Sequence, residues 1–145
     1  VFRGSYFHVI DDKGRISIPQ RYREILQGRQ DNYLIVTNLD GYLLAFPLSE
    51  WEVIEQRLGQ LALLRKDFRS FQRFFVSGAA ECQLDRQGRI LIPPHLREYA
   101  RLEKETVLAG AVRCFEIWNR QAFEEDRARV DEMDTEEVRK ELGIL

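Results

Sequence analysis

One stretch of this chain occurs twice. Ile10-Asp11-Asp12-Lys13-Gly14-Arg15-Ile16-Ser17-Ile18-Pro19-Gln20-Arg21-Tyr22-Arg23-Glu24 aligns without a gap to Leu84-Asp85-Arg86-Gln87-Gly88-Arg89-Ile90-Leu91-Ile92-Pro93-Pro94-His95-Leu96-Arg97-Glu98, at an offset of 74 residues. Eight of the fifteen positions are identical. Gly4 meets Gly78 at the same offset, and Phe46 meets Trp118 and Trp51 meets Phe123 after a shift of two. A chain of 145 residues that repeats at half its length is a duplication, here with halves near 1–75 and 76–145. That length can bury a real core without disulfides or metals.

Each half reads alike. Ala80, Cys82 and Leu84 alternate with Glu81, Gln83 and Asp85, the period of a half-buried strand. The first copy sets Tyr6, His8 and Ile10 on that inner face. A tight turn ending in Gly14 or Gly88 follows, where glycine supplies the left-handed backbone of a three-residue loop. The next strand turns Ile16 and Ile18, or Ile90 and Ile92, inward. Pro19 and Pro93 end it and open a short helix. Two further strands are expected near 33–37 and 42–46, then near 106–109 and 114–118.

Helices close each half. Ser49 and Glu52 have capping-box spacing before Trp51, Val53, Ile54 and Leu58. Leu64, Phe68, Phe71 and Phe75 recur at helical spacing, and Phe74 beside them makes the aromatics too many for one face. Some should pack between helices or subunits. Asn119 is placed to cap a helix carrying Phe123 and Val130, and Thr135 a last short helix that Gly143 ends.

The formal charge of −2 alone speaks against nucleic acid, but its distribution does not. Residues 1–30 hold Arg3, Lys13, Arg15, Arg21, Arg23 and Arg29 against three acids. Residues 57–73 hold five bases against Asp67, while 121–145 hold nine acids against four bases. One face can therefore meet phosphate while the whole stays acidic. Ordinary charged helix surface explains the same numbers, so charge does not decide.

Other chemistries find little support. His8 aligns with Cys82 on the inner strand face and reads as core, and His95 has no ligand partner in sequence. Cys82 reads as core and Cys114 as a strand residue; with no C-x-x-C pair, zinc is not expected. No phosphate-cradling glycine motif occurs, and no cofactor or small-molecule substrate is expected. No run of 18 apolar residues occurs, so no membrane partner is expected. The opening Val1-Phe2-Arg3-Gly4-Ser5 lacks a secretory pattern, which with two cysteines leads to an expected cytoplasmic location.

The doubled Asp-x-x-x-Arg turn, with a strand before it and Ile-x-Ile-Pro after, resembles the AbrB-like swapped-hairpin DNA-binding module. Two such modules in one chain opening Phe2-Arg3-Gly4 resemble the MraZ family of bacterial transcriptional regulators of the division and cell-wall gene cluster. The resemblance covers essentially the whole chain. The second turn departs from the first, carrying Arg86-Gln87 in place of Asp12-Lys13. It implies an α+β fold of duplicated β-β-α-β-β units, forming one pseudo-twofold swapped-hairpin β-barrel with peripheral helices. It also implies promoter DNA as partner, a nucleoid location and a homo-oligomeric ring reading short direct repeats. Arg15 would read bases through its planar fork, with Arg89 its counterpart in the second copy. Lys13, Arg3, Arg21, Arg23 and Arg86 would contact DNA beside them. Asp11 and Asp85, with Gly14 and Gly88, would shape the turns. For Arg21, Arg23, Arg97 and Arg101 solvated surface is the plainer reading. The alternative function is that of an antitoxin-like protein binding a protein partner; the duplication and the C-terminal helices speak against it. Nothing suggests an enzyme.

Overall fold

A computed structural model describes residues 1–144. The elements run β1 (Ser5–Val9), β2 (Arg15–Ser17), α1 (Gln20–Gly28), β3 (Tyr33–Leu39), β4 (Tyr42–Pro47), α2 (Leu48–Ala62) and α3 (Lys66–Phe75). The second half continues with β5 (Ala80–Gln83), β6 (Arg89–Leu91), α4 (Pro94–Ala100), β7 (Glu105–Gly110), β8 (Phe115–Asn119), α5 (Arg120–Glu132) and α6 (Glu136–Leu142). The class is α+β, and each half repeats β-β-α-β-β before its closing helices. All four later strands lie where they were expected, within two residues at each end.

The strand order is β1-β7-β8-β4-β3-β5, all antiparallel, with β2 and β6 forming a separate two-stranded ribbon. Exchanging β1 with β5, β7 with β3 and β8 with β4 returns the same order, so a pseudo-twofold axis passes between β4 and β8. The first strand of each half pairs with a strand of the other half, β1 with β7 and β5 with β3. Consecutive strands β1 and β2 part at their turn instead of forming a long hairpin. Ribbon and sheet remain distinct ladders, so hydrogen bonding does not close the barrel all the way round.

Two cores follow. Between ribbon and sheet lie Ile16, Ile18, Ile90 and Ile92 with Tyr22, Leu96, Leu34 and Phe115, all at most 1% exposed. Full burial of one such side chain is worth about 1.5–3 kcal/mol. Cys82 belongs here, and His8 is half-buried on the same strand face as Tyr6. On the sheet's other face, α2 and α3 set Trp51, Leu58 and Phe75 against Ile35 and Phe46.

Several local expectations need correction. Helix α2 starts at Leu48 with Pro47 as its N-cap and no side-chain cap, so Ser49 lies within the first turn and accepts from Arg29 instead. Leu64 precedes α3 and is 87% exposed, so it is no part of the buried stripe; of the phenylalanines there only Phe75 is buried. Asn119 does cap α5, accepting from the Ala122 N–H at 3.0 Å. Thr135 makes no cap bond; the Asp134 carboxylate accepts from the Glu136 N–H. Helix α5 buries no residue fully, and Phe123 only edges onto Trp118. Among the described residues no helix is long and apolar enough to cross a membrane.

Candidate nucleic-acid interface

Both repeated turns are locked by an aspartate in the same way. In the first, Gly14 adopts φ +92° and donates to Asp11 O, while the Asp11 N–H donates to Arg15 O. Asp11 Oδ1 accepts the backbone N–H of Lys13 at 3.0 Å and of Arg15 at 2.8 Å, and Oδ2 accepts Arg15 Nε at 3.1 Å. These donors hold the carboxyl below its ordinary range. The Arg15 backbone N–H contributes most, and together the donors outweigh a partial desolvation acting the other way. In the second turn Asp85 accepts from the Gln87 N–H at 2.9 Å, the Arg89 N–H at 2.9 Å and Arg89 Nε at 3.0 Å, with the same downward shift. Replacing Lys13 by Gln87 leaves this lock intact because only the backbone N–H takes part.

The ribbon brings the two arginines onto one face. Its register sets Arg15 opposite Leu91, Ile16 opposite Ile90 and Ser17 opposite Arg89. Opposed residues share a face, so Ile16 and Ile90 point to the core while Arg15, Ser17, Arg89 and Leu91 point outward. Arg15 and Arg89 are thus diagonal neighbours, about 7–8 Å apart at their backbones. Each turn lies at the opposite end of the ribbon from the other. Lys13 is exposed at the first turn and Arg86 at the second. Leu91, 54% exposed, is an apolar residue between the cations.

The remaining candidates divide. Arg3 and Arg21 line a shallow cleft of about 450 Å³ with Tyr6 and Ile25, a cleft that contains no turn residue. The backbone there is held by the buried Tyr22, whose hydroxyl donates to Gly4 O at 2.9 Å; burial pushes this phenol up to about 12, so it stays protonated. Arg23 is not a free surface cation. Its Nε donates to Ile18 O at 3.0 Å, and its guanidinium lies so near Gly88 that a methyl group there would sit 2.6 Å from Nη1. Arg97 does the same for the first turn, bonding Ile92 O at 2.9 Å and lying against Gly14. A reading of Arg97 as plain surface misses this. The signal was present: Arg23 and Arg97 are identical across the repeat, whereas Arg21 meets His95.

Among the described residues no group of three or more histidines, cysteines, aspartates or glutamates gathers as a metal site. His95 Nε2 lies 3.0 Å from Gly78 O, a structural contact, and burial pushes the Cys82 thiol up to about 12, far from a reactive thiolate.

Comparison with known proteins places the chain among relatives of one family. The sequence model of one family, described as "MraZ protein, putative antitoxin-like", matches twice, at residues 1–74 and 75–142. The chain is 51% identical over 125 residues to a transcriptional regulator MraZ of Moorella thermoacetica, covering 86% of this chain and 85% of that one. It is 52% identical over 124 residues to the protein of the same name in Pelotomaculum thermopropionicum, covering 86% and 83%. A third of that name, in Caldicellulosiruptor saccharolyticus, is 42% identical over 144 residues, covering 97% of this chain and 98% of the relative.

Proposed function

Because the chain belongs to the MraZ family, whose members named above are transcriptional regulators, we propose that it regulates transcription by binding promoter DNA through its two Asp-x-x-x-Arg turns. The observation that carries this reading is the shared outward face of Arg15 and Arg89 on a rigid two-stranded ribbon. A two-stranded β-ribbon fits the major groove, and an arginine fork can bond guanine O6 and N7 together. Each aspartate, with both oxygens engaged inside its own turn, orients the arginine rather than facing phosphate. Lys13 and Arg86 at the tips, and Arg3 and Arg21 in their separate cleft, supply phosphate contacts that set register without reading sequence. Arg23 acts from beneath the second turn.

One chain offers a small contact surface, so useful affinity comes from several copies on linked sites. We infer a homo-oligomeric ring whose subunits each read one short direct repeat of the operator, in the cytoplasm and on the nucleoid. Footprinting on the DNA upstream of its own gene tests this. Protection of evenly spaced direct repeats, lost with Arg15→Ala, supports the reading. Absence of any protected site, together with capture of one stoichiometric protein partner, would favour the antitoxin-like alternative that the family's description keeps in view.

A further inference from the structure

We propose that each contact turn is positioned by the opposite repeat, Arg97 holding the Asp11–Arg15 turn and Arg23 the Asp85–Arg89 turn, so that each DNA-reading unit is a composite of both halves. The proposal rests on the DNA-binding reading above, and its test separates the two.

The contacts are reciprocal. Gly14 O accepts the Ile92 N–H at 2.8 Å, and Gly88 O accepts the Ile18 N–H at 2.9 Å. The carbonyl of that same isoleucine accepts the arginine's Nε, Arg97 on Ile92 at 2.9 Å and Arg23 on Ile18 at 3.0 Å. Each arginine then lies across the glycine. A Cβ on Gly14 would be 2.6 Å from Arg97 Nε and 2.7 Å from Cζ; one on Gly88 would be 2.6 Å from Arg23 Nη1 and 2.7 Å from Cδ. The space any side chain would need at the turn's fourth residue is filled by a guanidinium from the other half.

Both glycines are buried and left-handed, at φ +92° and +76°, so two causes act on one position. Left-handed backbone favours glycine in any such turn. The partly buried arginine packed against it additionally fixes where the turn sits on the ribbon. Aspartate closes the turn internally, and the ladder fixes only Arg15, opposite Leu91, so the angle of residues 11–14 to the outer face is set from outside the turn. Arg97, planar and anchored at Nε, supplies that constraint. A reading side chain must be held to roughly half an ångström to be productive, and its support decides that.

An arginine whose support stopped at its bond to Ile92 O or Ile18 O would steady its own half. The cross-over arrangement predicts the opposite pattern. In amide exchange, Arg97→Ala should expose the Lys13 and Arg15 amides while leaving Gln87 and Arg89 protected, and Arg23→Ala should do the reverse. In binding to a duplex carrying the upstream DNA, Arg97→Ala should weaken affinity on the order of fivefold. Its effect should be less than additive with Arg15→Ala and additive with Arg89→Ala. Should Arg97→Ala fail to fold, Arg97→Lys gives the same readout, since it keeps charge and stem but loses the planar group and its Nε donor. Loss of protection in both turns alike, or in the arginine's own half, overturns the proposal. A crossed exchange pattern in a protein that binds no duplex would leave the cross-repeat support standing and sink the DNA-binding reading instead.

Discussion

Asp11 grips Arg15 at two points, accepting its backbone N–H at 2.8 Å and its Nε at 3.1 Å. The first bond fixes where the arginine's backbone leaves the turn, and the second fixes the direction of its guanidinium. About a third of the Arg15 side chain remains exposed on the ribbon's outer face. One carboxylate therefore converts a flexible side chain into an oriented one, and the same geometry recurs at Asp85 and Arg89.

Arg15→Ala should separate binding from folding. A partly exposed ion pair contributes about 0–1 kcal/mol to stability, whereas a bidentate base contact is worth about 1–3 kcal/mol of affinity per engaged subunit. Thermal denaturation and duplex titration of the same variant check this. A large fall in melting temperature would recast Arg15 as a structural partner.

Asp11→Asn keeps one acceptor oxygen and loses the charge that holds Arg15 Nε. We expect a folded protein with faster amide exchange at Lys13 and Arg15 and weaker DNA binding. The wild type should show the same loss with acid. The folded-state pKa values of Asp11 and Asp85 are depressed, so their contribution is fully present above the ordinary carboxylate value. It is lost as pH falls through the depressed value, from about pH 4 downward. Turn amides followed by NMR between pH 7 and 3 should stay protected until that range.

The fold was largely legible because alternation is local. Ile16 and Ile18 announce an inward strand face whatever strand they pair with, and Gly14 announces a turn. Which strand β1 pairs with is a long-range choice. Tyr6 and His8 carry no mark that says β7 rather than β2, so resemblance and not periodicity supplied the swap. The surface reading of Arg23 missed its contact with the second turn for the same reason: its neighbour Gly88 lies 65 residues away in sequence. The Ser49 cap failed on a two-residue shift, because the helix already starts after Pro47.

Tyr22→Phe removes a buried hydroxyl that ties α1 to the backbone at Gly4. Losing one such hydrogen bond costs about 1 kcal/mol, roughly 2–4 °C in a domain near this size. Because that bond seats the segment carrying Arg3, DNA affinity should fall modestly as well. Calorimetry beside duplex titration tests both. Unchanged affinity would separate Arg3 from the interface.

Salt should weaken binding steeply, since each phosphate contact contributes about −0.9 to the slope of log K against log salt. Lys13→Gln should reduce that slope by about 1 per engaged subunit while leaving base preference intact. A changed preference with an unchanged slope would make Lys13 a base reader.

Operator spacing tests the ring. A twofold dimer presents its readers in opposite senses and selects inverted repeats. Adjacent subunits of a ring are related by rotation about the ring axis, so DNA lying tangent to the rim meets the same turn in the same sense each time. Successive readers share one face of the duplex only where direct repeats recur about every 10–10.5 base pairs. Straight DNA leaves a curved rim after a short arc, so engaging more than two repeats requires the duplex to bend or the ring to deform. Inserting about five base pairs between repeats moves the second to the far face and should collapse cooperative binding, which a full-turn insertion should partly restore. Indifference to the half-turn insertion, or protection of an inverted repeat, would replace the ring with a simple dimer.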